Sequence, residues 1–367
     1  MAAQSEIHSP QSAIRGNLYA LVLAGGSGQR FWPVSRDRLP KQLLRLFDDK
    51  TLLEHTIDRL EGLVPKKNIL VLTNQMQLDA VREVLRGFPE ENILAEPEKR
   101  DTAPAIALGI GWVAARNPQA TMMVLPSDHL IKDHARFRET LQAACDAASQ
   151  SGALVTIGIK PTWACPGYGY IERGAKIEGM GDVPVYAVKK FREKPNAELA
   201  EHFLAQGNFT WNAGMFFWSV ASVRSNLKAH CPELAEFVTE LEQSPDFDTT
   251  LRARFASLPK LSIDYALMEN ATHVLNVEAC FDWDDVGNWT SVAAYLPTDG
   301  DGNQHNCAIS KLDAGNNIIF SQTQQHIALL GVEHLMIIST PDALLIAHRN
   351  EAEKLKKLVD ELPKALR

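Results

Sequence analysis

Residues 18–42 read LYALVLAGGSGQRFWPVSRDRLPKQ, and the interpretation of the chain starts there. An apolar run, Leu18 to Leu23, stops abruptly at Ala24-Gly25-Gly26-Ser27-Gly28. Three glycines in four positions make a loop that bends sharply and whose backbone N–H groups no side chain blocks, a shape suited to phosphate or a nucleobase. Arg30, Arg36, Arg38 and Lys41 follow within thirteen residues of Gly28, placing cations beside the loop. Two other glycine motifs fail on spelling. A dinucleotide fingerprint needs glycine where Phe31 stands, and a P-loop needs a Gly-Lys-Ser/Thr ending that is absent here.

Working outward, short β-rich runs alternate with helical patterns up to residue 159. Segments 68–73, 121–125 and 154–159 read as buried strands. Leu52, Leu53, Thr56, Ile57, Leu60 and Leu63 fall at helical spacing on one face, and 77–86, 102–116 and 135–149 are helical on the same grounds. Such alternation predicts an α/β fold, a mostly parallel sheet with helices on both faces. Ligands of such sheets sit beyond the carboxyl ends of the strands, where the glycine loop and Pro126-Ser127-Asp128 fall.

After Leu296 the texture changes. Residues 297–302 are rich in proline, glycine and aspartate, a boundary signal. Short apolar runs then recur every eight or nine residues, at Ile309, 318–320, 327–330, 335–338 and 343–346, which predicts one short strand per run. A final helix carries Ala352, Leu355, Leu358, Val359 and Leu362 on one face. The expected division is a loose tail over 1–17, a catalytic unit over 18–296 and a small β unit ending in a helix over 297–367.

Composition narrows the function. The chain has 367 residues, a net charge of −8 and ordinary apolar content, so the cations near the loop should serve a small anion rather than nucleic acid. Five widely spaced cysteines without a CxxC predict neither a zinc site nor a disulfide framework, and free thiols point to the cytoplasm. The polar first seventeen residues do not read as a signal peptide, and no apolar run is long enough for a membrane span.

The stretch GGSGQRFWPVSRDRLPKQ resembles the signature of the sugar-phosphate nucleotidyltransferases, of the form GGxGxRxxPxxxxxxPK. Its WP and PKQ spelling resembles the mannose-1-phosphate guanylyltransferase group in particular. Further matches are Glu96-Pro97 with Arg100-Asp101-Thr102-Ala103-Pro104-Ala105, the GYGYI form at 167–171, Glu193-Lys194-Pro195, Trp211-Asn212-Ala213-Gly214 and Asp285-Val286-Gly287. The resemblance runs over roughly residues 18–362, and the chain ends before any second, phosphomannose-isomerase-type module is expected. It implies a Rossmann-like nucleotidyltransferase fold with a short left-handed β-helix after it; the spacing alone also allows a meander.

The resemblance also implies an activity: transfer of GMP from GTP to mannose 1-phosphate with Mg²⁺, giving GDP-mannose and pyrophosphate. A homodimer is an open option for its assembly. The resemblance places Ala24, Gly25, Gly26, Gly28, Arg30, Lys41, Arg100, Asp101, Thr102, Pro104, Ser127 and Asp128 at the nucleotide. Tyr168, Gly169, Glu193, Lys194, Asn212 and Asp285 fall on the sugar side, with Lys194 toward the sugar phosphate. Asp128 and Asp285 are the implied metal ligands, with Asp282 and Asp284 as neighbours open to confusion with Asp285. Taken alone, Arg30 reads equally as a surface partner of Asp37 or Asp48, Lys41 as a solvated lysine, Asp128 as a turn or cap, and Pro195 as a helix start. His129 reads as structural. Asp101 stands where the group usually has Asn and adds negative charge near the expected nucleotide.

Other readings remain open. Another sugar 1-phosphate or nucleotide would keep the class. A non-catalytic sugar-nucleotide-binding paralogue would be expected to lack some of Arg30, Lys41, Asp128 and Asp285, and all four are present. An acyltransferase-like scaffold would want a longer repeat and a catalytic histidine.

Overall fold

The computed structural model describes residues 17–367; the expected tail falls, but for Asn17, outside the described residues. Nine strands form one sheet: β1 (Leu18–Leu23), β2 (Ile69–Asn74), β3 (Ile93–Glu96), β4 (Thr121–Pro126), β5 (Leu154–Ile159), β6 (Tyr170–Lys176), β7 (Val185–Arg192), β8 (Phe209–Ser219) and β9 (Val274–Glu278). Their order is β3-β2-β1-β4-β8-β5-β9-β7-β6. The sheet is parallel from β3 to β4. Beyond β4 it is mixed, because the long β8 runs antiparallel to β4, β5 and β6.

Strand β1 shows why the sheet is covered on both faces. Leu18, Ala20 and Val22 enter one apolar cluster, whereas Tyr19 and Leu21 enter another, as the two-residue period of a strand requires. Helices α1 (Leu52–Arg59), α2 (Leu78–Val84), α3 (Thr102–Arg116) and α4 (His134–Ser151) fall on the segments predicted from spacing. Thr51 and Glu54 form a reciprocal cap at the start of α1, and Gly152, in the left-handed conformation, ends α4. Helix α3 is buried almost all round.

Strand β1 lies between β2 and β4 and pairs with β4 in register, Leu23 opposite Pro126. The glycine loop and Ser127-Asp128 therefore leave the sheet side by side. That register positions the site.

The C-terminal strands are β10 (Gln304–His305), β11 (Ile309–Leu312), β12 (Ile318–Ser321), β13 (Ile327–Leu330), β14 (Leu335–Ser339) and β15 (Leu344–His348). Alternate strands stack in parallel, β10-β12-β14 and β11-β13. A meander would pair consecutive strands antiparallel, so the stacking decides for a β-helix-like coil; only β15 turns back on β14. An apolar cluster joins this coil to the glycine-loop segment: Phe31, Trp32, Val286, Trp289, Ile318, Phe320, Met336, Leu355 and Val359 pack together.

Candidate active site

The glycine loop is held by its carbonyls. Gln42 Nε2 and Thr73 Oγ1 donate to the Ala24 carbonyl at 2.6 and 3.0 Å, and Gln77 Nε2 donates to the Gly26 carbonyl at 3.1 Å. Among the described residues, no acceptor takes the N–H groups of Gly25, Gly26, Ser27 or Gly28. A loop with its oxygens tied back and its N–H groups open is an anion nest. Gly28 has φ of +60°, and a Cβ there would lie 2.4 Å from the Lys41 backbone nitrogen, so no other residue fits without displacing Lys41.

Lys41 is buried, 6% exposed, contrary to the solvated alternative. Its ammonium donates to Asp128 Oδ2 at 3.0 Å and to the Asp285 carbonyl, so one lysine ties together both implied metal-binding loops. Those loops are also paired through their backbones. Leu130 N–H donates to the Asp284 carbonyl at 2.9 Å, and Asp284 N–H returns a bond to Leu130 at 3.1 Å. Residues 128 and 285, far apart in sequence, meet in one cavity.

The three candidate aspartates separate by their partners. Asp282 accepts from Lys132 and Asp133 N–H groups, and Asp284 accepts from Val286 N–H and the Tyr295 hydroxyl. Both are occupied in holding the loop. Asp285 instead opens onto the cavity beside Asp128, with its Oδ1 3.5 Å from His129 Nε2. Burial pushes its carboxyl up, but His129, Lys41 and Arg30 outweigh burial and hold it well below the usual carboxylate range. Trp283 Nε1–H donates to His129 Nδ1 at 3.2 Å, so a neutral His129 carries its proton on Nε2, facing Asp285. Buried Arg59 donates to the His129 carbonyl at 3.1 Å from beneath.

Three cavities meet here. One, of about 370 Å³ and mostly apolar, is lined by Gly25, Gly26, Asp101, Thr102, Ser127 and Asp128 together with Leu72, Ile106, Phe216, Glu96 and Asp264. A second, of about 310 Å³, holds Gly28, Arg30, Lys41, Asp128, Asp285 and Lys356. A third, of about 320 Å³, holds Tyr168, Gly169, Glu193, Lys194, Asn212 and Trp283, with Arg30 and Asp285 shared from the second. Asp128 and Asp285 sit where the cavities join.

Three residues expected at the nucleotide line none of these spaces. Ala24 is buried behind the loop, Pro104 lies within α3, and Arg100 turns to Glu98 at 2.8 Å. Asp101 caps α3 with φ of +68°, its carboxylate accepting from Thr102 N–H at 2.7 Å, so its charge meets the helix N-terminus. Arg30 pairs not with Asp37 or Asp48 but with Glu353 of the C-terminal helical segment, at 3.2 Å.

In the third cavity, where the sugar is expected, Lys194 pairs with Glu193 at 3.0 Å. Asn212 Nδ2 donates to Asp264 at 3.1 Å and its oxygen accepts from Gly214 N–H at 3.1 Å, which fixes its orientation. A Cβ on Gly169 would meet Glu193 Oε2 at 2.5 Å, so glycine lets that carboxylate into the cavity. Tyr168 packs against Trp211 and Trp283, ring centroids 5.0 and 5.5 Å apart.

Sequence reasoning missed Asp264 as a site residue, and it matched Glu96 to the stretch the resemblance places near base and ribose without giving it a role. Burial, partly offset by Lys99 and reinforced by Asp101, pushes Glu96 up to about 7; burial, aggravated by Glu193, pushes Asp264 up to about 7. Glu96 ends strand β3, a position that carries a signal. Asp264 opens a single π-helical turn, Asp264–Met268, which no local spacing announces.

Comparison with known proteins agrees with this geometry. The nucleotidyl transferase family profile matches residues 19–300, and a profile for the mannose-phosphate isomerase/GMP-like β-helix domain matches 309–362. The chain belongs to the nucleotidyl transferase family. It is 36% identical to mannose-1-phosphate guanylyltransferase of Escherichia coli, over 94% of this chain and 74% of that protein. It is likewise 36% identical to the xanthan biosynthesis protein XanB of Xanthomonas campestris pv. campestris strain B100, over 94% and 73%. A crystal structure from Thermus thermophilus, described as mannose-1-phosphate geranyltransferase, superposes with a TM-score of 0.83 at 33% identity, covering 94% of this chain and 98% of that one. Among the described residues, no helix is long and apolar enough to cross a membrane, and all five cysteines are free thiols.

Proposed function

We propose that this enzyme transfers GMP from GTP to mannose 1-phosphate, releasing pyrophosphate and GDP-mannose. The observation that carries the reading is the junction of an apolar, a charged and an aromatic-polar cavity at Asp128 and Asp285. Base, triphosphate and sugar phosphate fit those three spaces in that order. Guanine presents two adjacent donors, its N1–H and 2-amino group, and the Glu96 carboxylate in the apolar cavity complements them. Uracil and thymine offer one N–H between two carbonyls, which a carboxylate repels. The aromatic wall of Tyr168 and Trp283 suits a hexose ring, with Glu193 available to its hydroxyls.

The sugar phosphate is already an anion at neutral pH, so no enzyme nucleophile is needed. Its oxygen attacks the α-phosphorus in line, and the bond to the β-phosphate oxygen breaks. Catalysis is then positioning and charge neutralisation. The open N–H groups of the glycine loop, Arg30 and Lys41 face the triphosphate, and Lys194 offsets the charge of the incoming phosphate. Asp128 and Asp285 fit a divalent ion, Mg²⁺ in this proposal, and would hold it, since both carboxylates belong to residues lining the same cavity. Such an ion supplies Lewis-acid charge on the phosphate oxygens.

The proposal includes a catalytic unit over 18–296 and a β-helix-like unit over 297–367, supported by the gap between β9 and β10 in sheet membership. It includes a cytoplasmic homodimer, supported by the free thiols and by Leu312, Leu330, Leu344 and Ile346, each more than half exposed on the C-terminal strands. The decisive experiment crosses four nucleoside triphosphates with several sugar 1-phosphates and reads pyrophosphate release. GTP with mannose 1-phosphate should dominate and excess EDTA should abolish release; preference for UTP or dTTP would overturn the nucleotide assignment.

A further inference from the structure

Three cations line the phosphate cavity, and they differ in what already holds them. Lys41 is engaged by Asp128, and Arg30 by Glu353. Lys356, from the C-terminal helix (Leu355–Glu361), makes no ion pair among the described residues although it lines the same cavity as Gly28, Asp128 and Asp285. The helix is fastened to the loop that follows Gly28. Leu355 and Val359 are buried against the cluster holding Phe31 and Trp289, and Trp32 Nε1–H donates to the Leu366 carbonyl at 2.8 Å. Gln29 Nε2 donates to Asp360 at 3.4 Å and Asn288 Nδ2 to Glu353 Oε1 at 2.6 Å. Glu353, in the 3₁₀ turn Arg349–Lys354 before the helix, reaches Arg30, and Lys356 and Asp360, four residues apart on the helix, reach the cavity and Gln29.

We propose that Lys356 binds the β- and γ-phosphates of GTP and the departing pyrophosphate, and that Glu353 holds Arg30 at the cavity until the triphosphate replaces it. The proposal rests on the triphosphate reading of this cavity. A triphosphate entering beside two carboxylates meets repulsion that the neighbouring cations must offset, and Lys356 is the cation with no prior ion-pair partner among the described residues. The Arg30–Glu353 pair is about half exposed on both sides, 47% and 64%, so it orients the guanidinium at little energetic cost to exchange. Phosphate then takes the fork that a carboxylate held. The C-terminal unit in this way completes the nucleotide site rather than merely adjoining it.

The test uses the full chain with Lys356→Ala, Lys356→Arg, Lys356→Glu and Glu353→Gln. Losing one charge-assisted contact should raise KM for GTP, and for pyrophosphate in the reverse reaction, about tenfold, with KM for mannose 1-phosphate changed less than about twofold. Arginine should restore most of the loss, glutamate should be worse than alanine, and the melting temperature should stay constant across the three. Glu353→Gln should lower KM for GTP. Unchanged kinetics, an equal rise in both substrates' KM, or a loss that arginine does not rescue would overturn the assignment. Pyrophosphate binding by calorimetry needs no turnover. Wild-type binding that Lys356→Ala weakens upholds Lys356 even if GTP is not the substrate, whereas a wild type inactive across the whole nucleotide panel rejects the parent reading.

Discussion

The apolar and the charged cavities open from the same end of the sheet and treat carboxylates in opposite ways. In the charged cavity Asp285 is surrounded by Lys41, His129 and Arg30, and it stays ionised far below its ordinary range. In the apolar cavity burial pushes Glu96 and Asp264 up to about 7; Lys99 acts on the first and Lys194 on the second, but neither cation offsets burial. The difference lies in the neighbours rather than in burial alone: opposite charge outweighs desolvation in one place and only partly offsets it in the other. One cavity is built to hold charge in readiness. The other leaves its carboxyls poised near neutral pH, so that a ligand with N–H donors favours their ionisation.

The comparison breaks most visibly if the two aspartates of the charged cavity are replaced. Asp128→Asn and Asp285→Asn keep size and remove charge, and each should lower kcat/KM on the order of a hundredfold or more, about 2.7 kcal/mol. Circular dichroism should show the fold intact; near wild-type turnover in either variant would remove that residue from the mechanism.

Gly28→Ala tests the loop that feeds the charged cavity. A left-handed φ costs a residue with a Cβ roughly 1–2 kcal/mol, and the contact with the Lys41 backbone adds to it. Denaturant unfolding should show a loss of about 2–3 kcal/mol, with Lys41 displaced and activity falling with it. An unaltered midpoint would mean that the loop relaxes freely.

Glu96→Gln sharpens the apolar side. The folded acid is raised above its unfolded value of 4.5, so the folded chain binds the extra proton between that value and about 7. Stability is therefore full below the unfolded value and falls as pH rises to about 7, after which it is level. The glutamine variant should match wild type near pH ~4 and exceed it by roughly 1–3 kcal/mol at pH ~8. GTP affinity in the wild type should rise with pH up to about 7, and the variant should lose that rise together with its guanine preference. Thermal melts and binding titrations across pH decide both points.

Asp284→Asn should have the smallest effect. It weakens bonds to Val286 N–H and Tyr295, about 1 kcal/mol of stability, and should leave kcat within a few-fold. A loss as large as that of Asp285→Asn would exchange their roles.

Much of this was legible in local patterns. The strand Leu18–Leu23, helix Thr102–Arg116 and strand Leu154–Ile159 appear where periodicity and turn residues put them, because side-chain burial follows the backbone repeat. The glycine loop could be found because a strand end followed by glycines and cations is a compact signal. Lys41 and Asp128, which read alone as a solvated lysine and a turn or cap, are singled out through the resemblance to the family motif. What resisted was everything set by contact between distant segments. Asp282, Asp284 and Asp285 are equivalent by spacing; the resemblance points to Asp285, and it is their hydrogen-bond partners that tell them apart physically. Arg30's partner lies in the C-terminal segment, which a reading along the chain treats as another unit.

By itself the sequence determined the alternation of strands and helices, the anion-ready loop and the apolar repeats of the C-terminal strands. All of these follow from backbone geometry and neighbours within a turn or two. The tertiary structure alone decided that the coil stacks in parallel, that residues 128 and 285 share a cavity, and that Lys356 reaches it. Register between strands, charge pairing and desolvation depend on groups brought together from distant parts of the chain. No local pattern encodes them, because their energies exist only once the chain has closed around them.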